Sequence, residues 1–255
     1  MKKTLTSSFV ASLIIIAGCT TVTAQDEGGL VIPVELFACS YNEGKGPADL
    51  DAVTDRWNTW MDEQGLNEYS AWTLSPYYFG KEQEFDVLWL GAAKDAIALG
   101  KTQDAFLSET AGLNAGFSDV LSCDAHLNFA SLNYKSLPQG ATPSNSVLTF
   151  SDCSYKEGAT YPLLSAAMKE WEQHLTAEGS TSAIFHWYPA YGGGNEDFSF
   201  KWIEAYQNFA ELGADYERFG NGGGVEVNGK LFGHLLKCDS SRAYVAQNRR
   251  FVQLR

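Results

Sequence analysis

The stretch LFACSYNEG, Leu36 to Gly44, is written again as FSDCSYKEG, Phe150 to Gly158. Both copies carry Cys-Ser-Tyr-x-Glu-Gly. Laying the chain on itself outwards from that hexamer extends the match. Trp57 meets Trp171 and Gly65 meets Gly179 at the same offset. After one residue is lost, Phe85, Trp89, Leu99, Gly100 and Phe106 meet Phe198, Trp202, Leu212, Gly213 and Phe219. After two are gained near Gly222, Phe117, Cys123 and Asp124 meet Phe232, Cys238 and Asp239. Tryptophans, cysteines and glycines in one order, with two small gaps, mark a tandem duplication. Two copies are too few for a solenoid, so the repeated unit is a domain. The Pro-, Gly- and Ser-rich stretch SLPQGATPSNS, Ser136 to Ser146, separates the copies. The expected organisation is a leader over 1–24, repeats over 29–137 and 145–255, and a linker over 138–144.

One unit reads as follows. LVIPVELFAC is β-rich and ends at Cys39, with Pro33 tolerable only near a strand's start or on an edge. Leu50, Val53, Trp57, Trp60 and Met61 recur at helical steps between Pro47 and Gly65, and Gly65 is a natural stop. Leu164, Met168, Trp171 and Leu175 repeat that pattern ahead of Gly179. EYSAWTLSPYY and FDVLWLGAA read as strands two and three, KDAIALGKTQDAFLS as a second helix and FSDVLSC as a short helical turn. AHLNFASLNYK alternates as strand four. Asn228-Gly229 inside VEVNGKLF predicts a small extra hairpin in the second copy.

The order βαββαβ is the ferredoxin-like unit, an antiparallel sheet with helices on one face. Its bare face must find cover, and two units in one chain can cover each other. The fold class is therefore α+β, two tandem ferredoxin-like domains. This arrangement resembles the dimeric α+β barrel superfamily, which includes the antibiotic-biosynthesis-monooxygenase-like proteins. The resemblance implies an intramolecular pseudo-dimeric barrel. Its members include oxygenases, isomerases, haem enzymes and proteins with no known activity, so it carries little about function.

In such a unit strands one and four are antiparallel neighbours. Cys39 ends strand one and Cys123 precedes strand four; Cys153 and Cys238 hold the same places in the second copy. Of three possible pairings, the topology selects Cys39–Cys123 and Cys153–Cys238. Each closes a loop of about 85 residues, contributing on the order of 4 kcal/mol by loop entropy.

The fifth cysteine, Cys19, lies in the leader. Lys2 and Lys3 precede the apolar run Phe9–Ala17, which is too short to span a bilayer. Ile16-Ala17-Gly18-Cys19 resembles a bacterial lipobox with Cys19 lipidated; Val22-Thr23-Ala24 before Gln25 resembles an ordinary signal-peptidase site. Either implies export and an oxidising compartment that suits disulfides. The formal charge of −13 argues against nucleic acid, whose phosphates demand Lys and Arg, and against anionic lipid. A membrane would be reached only through the lipid anchor.

The sequence carries no strong catalytic signature. His126, His174, His186 and His234 fall in no metal-ligand spacing, and neither Gly-Gly-Gly run has a phosphate-loop pattern. His174 aligns with Trp60 and His186 with Trp72. Tyr41 and Glu43, with Tyr155 and Glu157 as counterparts, sit at strand ends where a barrel opens, and His186 marks a pocket special to the second copy. These five are the candidate pocket residues, since a carboxylate beside a phenol can orient a polar ligand or move a proton. Against this, Glu43-Gly44 and Glu157-Gly158 also suit a plain turn. No cofactor or metal is indicated. The expected function is small-molecule binding by an exported monomer with internal pseudo-two-fold symmetry, in a cavity of the barrel. The alternative is a non-catalytic envelope lipoprotein with a structural or partner-binding role.

Overall fold

The computed structural model describes residues 31–138 and 145–252. The leader with Cys19, and linker residues 139–144, lie outside them. The first repeat runs β1 (Val31–Tyr41), α1 (Pro47–Glu63), β2 (Tyr69–Tyr78), β3 (Val87–Ala93), α2 (Ala96–Leu107), α3 (Leu113–Val120) and β4 (Leu121–Lys135). The second runs β5 (Asn145–Tyr155), α4 (Tyr161–Ala177), β6 (Ala183–Tyr191), β7 (Phe200–Tyr206), α5 (Phe209–Gly220), α6 (Gly224–Phe232), β8 (Leu236–Cys238) and β9 (Arg242–Arg250).

Each repeat forms a four-stranded antiparallel sheet, β4-β1-β3-β2 in the first and β6-β7-β5-β9 in the second. The edges then pair across the repeats, β4 with β6 and β2 with β9, and close an eight-stranded barrel. Closure leaves no open edge strand among the eight. The short β8 adds to the end of β5 at Cys153. Pro33 is accommodated because β3 begins to pair only at Val34, so the proline lies where β1 meets β4 alone.

Strand alternation sorts the side chains. Val34, Leu36, Leu74, Leu88, Leu90, Phe129, Phe150, Trp187, Ile203 and Tyr244 point inward and fill the barrel with one apolar core drawn from both repeats. The opposite faces carry the helices. Trp57, Trp60 and Met61 of α1 pack on Tyr69, Ala71 and Ala93, while Leu164, Met168 and Trp171 of α4 pack on Ile184 and Phe200. At the end of β9, Arg249 pairs with Asp51 at 2.6 Å and Arg250 with Asp62 at 2.8 Å, tying the second repeat's last strand to α1 of the first.

The repeated hexamer is now explained. Its cysteines form Cys39–Cys123 and Cys153–Cys238, the two predicted bonds. Its glycines, Gly44 and Gly158, have φ of 75° and 80°, a left-handed conformation that favours glycine in the turn leaving each strand.

Three local expectations are corrected. Leu121, Ser122 and Cys123 belong to β4, because they pair with Tyr41, Ser40 and Cys39; the helical turn ends at Val120. Asn228-Gly229 lies inside α6 rather than a hairpin. There Phe232 packs edge-on against Trp171 and Trp202, the same burial that holds Phe117 of α3 against Trp89. His186 corresponds to Thr73, not Trp72: His186 pairs with Trp202 as Thr73 pairs with Trp89. The lost residue therefore falls before β2. Trp72 packs on the barrel core, whereas His186 faces the helices.

Candidate functional site: a pocket in the second repeat

The helix-covered face of each sheet carries one buried or half-buried acid, and the two repeats wire it differently. In the first repeat Glu35 on β1 pairs across the strands with Gly91 on β3. Glu35 is 5% exposed. Its carboxylate accepts from Tyr69 Oη at 2.6 Å and Gln103 Nε2 at 3.0 Å, and lies 3.0 Å from His126 Nε2. Trp89 Nε1 donates to the same Tyr69 hydroxyl at 3.2 Å. His126 stacks on Phe37 with centroids 3.6 Å apart. Burial pushes the Glu35 carboxyl up, but the hydrogen bonds from His126, Tyr69 and Gln103 outweigh it and hold the carboxyl below its ordinary value. Gly91 must be glycine: a Cβ there would lie 1.9 Å from Tyr69 Oη. The face is filled and internally satisfied.

In the second repeat the matching cross-strand pair is Thr149 on β5 and Glu204 on β7, so the acid has moved to the opposite strand. Thr149 stands in place of Glu35, Ser182 of Tyr69, and Tyr216 of Gln103. The stacked Phe37–His126 pair becomes Ser151 and Ser241, whose hydroxyls lie 2.6 Å apart. Thr149, Ser151 and Ser241 are smaller than Glu35, Phe37 and His126, while Tyr216 and Glu204 are larger than Gln103 and Gly91, and a pocket of about 750 Å³ lies between the sheet and helices α4, α5 and α6. Trp202, Tyr206, Tyr216, Phe219 and Phe232 give it aromatic walls, and Tyr78 reaches it from the first repeat.

Glu204 lines this pocket. It accepts from Trp202 Nε1 at 3.2 Å and Tyr206 Oη at 2.5 Å. The tryptophan that serves the Tyr69 phenol in repeat one serves a carboxylate here. Burial pushes the Glu204 carboxyl up, with Asp215 adding to the rise, against the lowering effect of its two donors. Arg218 lines the pocket but is committed: it is ion-paired to Asp215 and donates to the backbone oxygens of Glu178 and Gly179. The arrangement can hold an aromatic molecule and offer it either a carboxylate or, when protonated, a hydrogen-bond donor.

None of the five sequence candidates lines this pocket. Glu43 and Glu157 are exposed on turns. Tyr41 and Tyr155 are half-buried at strand ends; burial raises both phenols, and Tyr155 shares a 3.3 Å hydroxyl contact with Tyr188. His186 is fully buried between Tyr134, Phe200 and Trp202, and neither ring nitrogen has a hydrogen-bond partner. Burial pushes its imidazole down to about 3, so it is neutral at physiological pH. Sequence reasoning missed Glu204 because it aligns with a glycine. The usable signal was there: an acid flanked by Trp202 and Tyr206 at alternating positions shares their face of the strand.

No family model and no curated protein matches the chain. The eight-stranded α+β barrel is similar in fold to solved chlorite dismutase structures. A protein named as a candidate chlorite dismutase superposes with TM-score 0.53 at 11% identity, covering 88% of this chain and 96% of its own. The chlorite dismutase from Candidatus Nitrospira defluvii, solved with imidazole, gives 0.51 at 10% identity, covering 85% and 91%. At this identity the likeness concerns the fold alone. Among the described residues no helix is long and apolar enough to cross a membrane. Two disulfides are compatible with an extracytoplasmic location.

Proposed function

We propose that this is an exported cell-envelope protein that binds a small molecule in the pocket beside Glu204. The observation that carries the reading is the contrast between repeats. One duplicated face is filled by Glu35, Phe37, Tyr69 and His126; the other keeps Thr149, Ser151 and Ser241 around a pocket. The barrel interior itself is packed apolar core and serves as the scaffold. The test is native against denaturing mass spectrometry on mature protein purified from its own envelope. The expected result is an extra mass lost on denaturation and absent from the double variant Ser151→Phe/Ser241→His, which writes the first repeat's stacked pair into the pocket. A bare mass for the wild type would favour the alternative, an envelope lipoprotein with a structural or partner-binding role.

The mature N-terminus in this reading is a lipidated Cys19, supported by the lipobox-like Ile16-Ala17-Gly18-Cys19. Cys19→Ala should move the protein from the membrane to the soluble fraction. Unchanged fractionation would remove the anchor and leave the signal-peptidase site after Ala24.

A further inference from the structure

We infer that the pocket selects a cation: its ligand is an aromatic or apolar molecule bearing a protonated amine, docked on Glu204. The inference rests on the pocket reading above and adds the chemical class. Among the described residues, Glu178, Glu204, Asp215 and Asp239 line the pocket with Arg218 as the one Lys or Arg. Arg218 is ion-paired to Asp215, and two more of its N–H groups donate to backbone oxygens. The ion pair with Asp215 offsets its charge toward an anionic ligand. Asp239 is paired with Arg242 at 2.9 Å. Glu204 is different, because its two donors, Trp202 Nε1 and Tyr206 Oη, bring no positive charge.

The first repeat shows what this carboxylate lacks. There Glu35 lies 3.0 Å from His126. In the second repeat the position of that histidine is Ser241, whose hydroxyl turns to Ser151 instead. The second repeat's face thus has a carboxylate, on the opposite strand, and a serine where the first repeat has its histidine. An ammonium from a ligand would supply a positive charge there. Trp202, Tyr206 and Tyr216 line the same pocket, and the negative face of a π-system attracts cations. An anion would meet the opposite field.

The test uses three naphthyl probes of matched shape on the mature protein, followed by isothermal titration calorimetry. They are 2-(1-naphthyl)ethylamine, 2-(1-naphthyl)ethanol and 1-naphthaleneacetate. The expected order is amine tightest, alcohol roughly tenfold weaker and carboxylate weakest. In Glu204→Gln, a near-isosteric change, the amine should lose its advantage while the alcohol binds as before. An amine no tighter than the alcohol, or an advantage that survives in Glu204→Gln, overturns the cation inference and leaves the pocket reading standing. If no probe binds the wild type, the pocket reading fails and the inference with it. Should Glu204→Gln not fold, the wild-type order alone decides, since an alcohol or carboxylate that matches the amine is already fatal.

Discussion

Glu204 on β7 lies directly across from Thr149 on β5, and the first repeat holds the same pair inverted, with Glu35 across from Gly91. The two acids respond oppositely to one sheet face. Glu204 is raised by burial, so the folded state holds its proton to higher pH than the unfolded chain does. Its favourable contribution is complete below the unfolded value of about 4.5 and is lost as pH rises through the folded value. Glu204→Gln mimics the protonated form. Urea unfolding at several pH values should therefore show the variant gaining on the wild type from pH 4.5 to 7.5. Parallel profiles would mean that Glu204 is not strained by burial.

Glu35 has the reverse sign. Its carboxyl is lowered, so its contribution is complete above about pH 4.5 and lost as pH falls through the folded value. Tyr69 is the key partner, buried and donating to Glu35 while accepting from Trp89. Tyr69→Phe should cost about 1–3 kcal/mol at pH 7, because a buried carboxylate loses a hydrogen bond and Trp89 loses its acceptor. The penalty should shrink at acidic pH, where Glu35 is protonated. A cost that does not change with pH would assign the effect to packing instead.

The sequence exposed the fold well, for a physical reason. Cys39, Trp57, Gly65 and Trp89 each occupy a place where burial, a staple or a left-handed turn restricts the residue type, so their repetition reveals the duplication. Strand and helix periods did the rest. The site was less legible because it is made of differences between the copies rather than of matches. Thr149, Ser151 and Ser241 carry no chemistry of their own; they matter because Glu35, Phe37 and His126 are missing there. The conspicuous residues lie elsewhere: Glu43 and Glu157 are exposed on the turns made by Gly44 and Gly158 and do not line this pocket. A one-residue gap placed before β2 rather than after it would have put His186 on the helix face from the start.

His186 makes its own pH signature. A buried imidazole at about 3 binds fewer protons folded than unfolded. Its contribution is complete above the unfolded value near 6.5 and is lost as pH falls from there towards 3. At pH 5 the loss is about 2 kcal/mol. His186→Phe should abolish that loss and leave stability at pH 7.5 unchanged or slightly higher, since two unpartnered ring nitrogens are replaced by apolar ring of similar shape. Unfolding curves of both proteins at pH 5 and 7.5 decide it; an equal acid loss in the variant would mean that His186 finds a partner on folding.

The disulfides allow stability and site to be separated. Cys39–Cys123 and Cys153–Cys238 span 84 and 85 residues, so loop entropy assigns them nearly the same value, about 4 kcal/mol each. Replacing either pair with alanines should therefore destabilise by similar amounts in urea unfolding. Their surroundings differ, because Cys153 and Cys238 line the pocket while Cys39 packs with Leu50, Val53 and Val120 under the first repeat's helices. Binding of 2-(1-naphthyl)ethylamine should weaken in Cys153→Ala/Cys238→Ala and hold in Cys39→Ala/Cys123→Ala, measured where both remain folded. Equal weakening in both would make the loss a consequence of global stability and move the binding site away from the second repeat's staple.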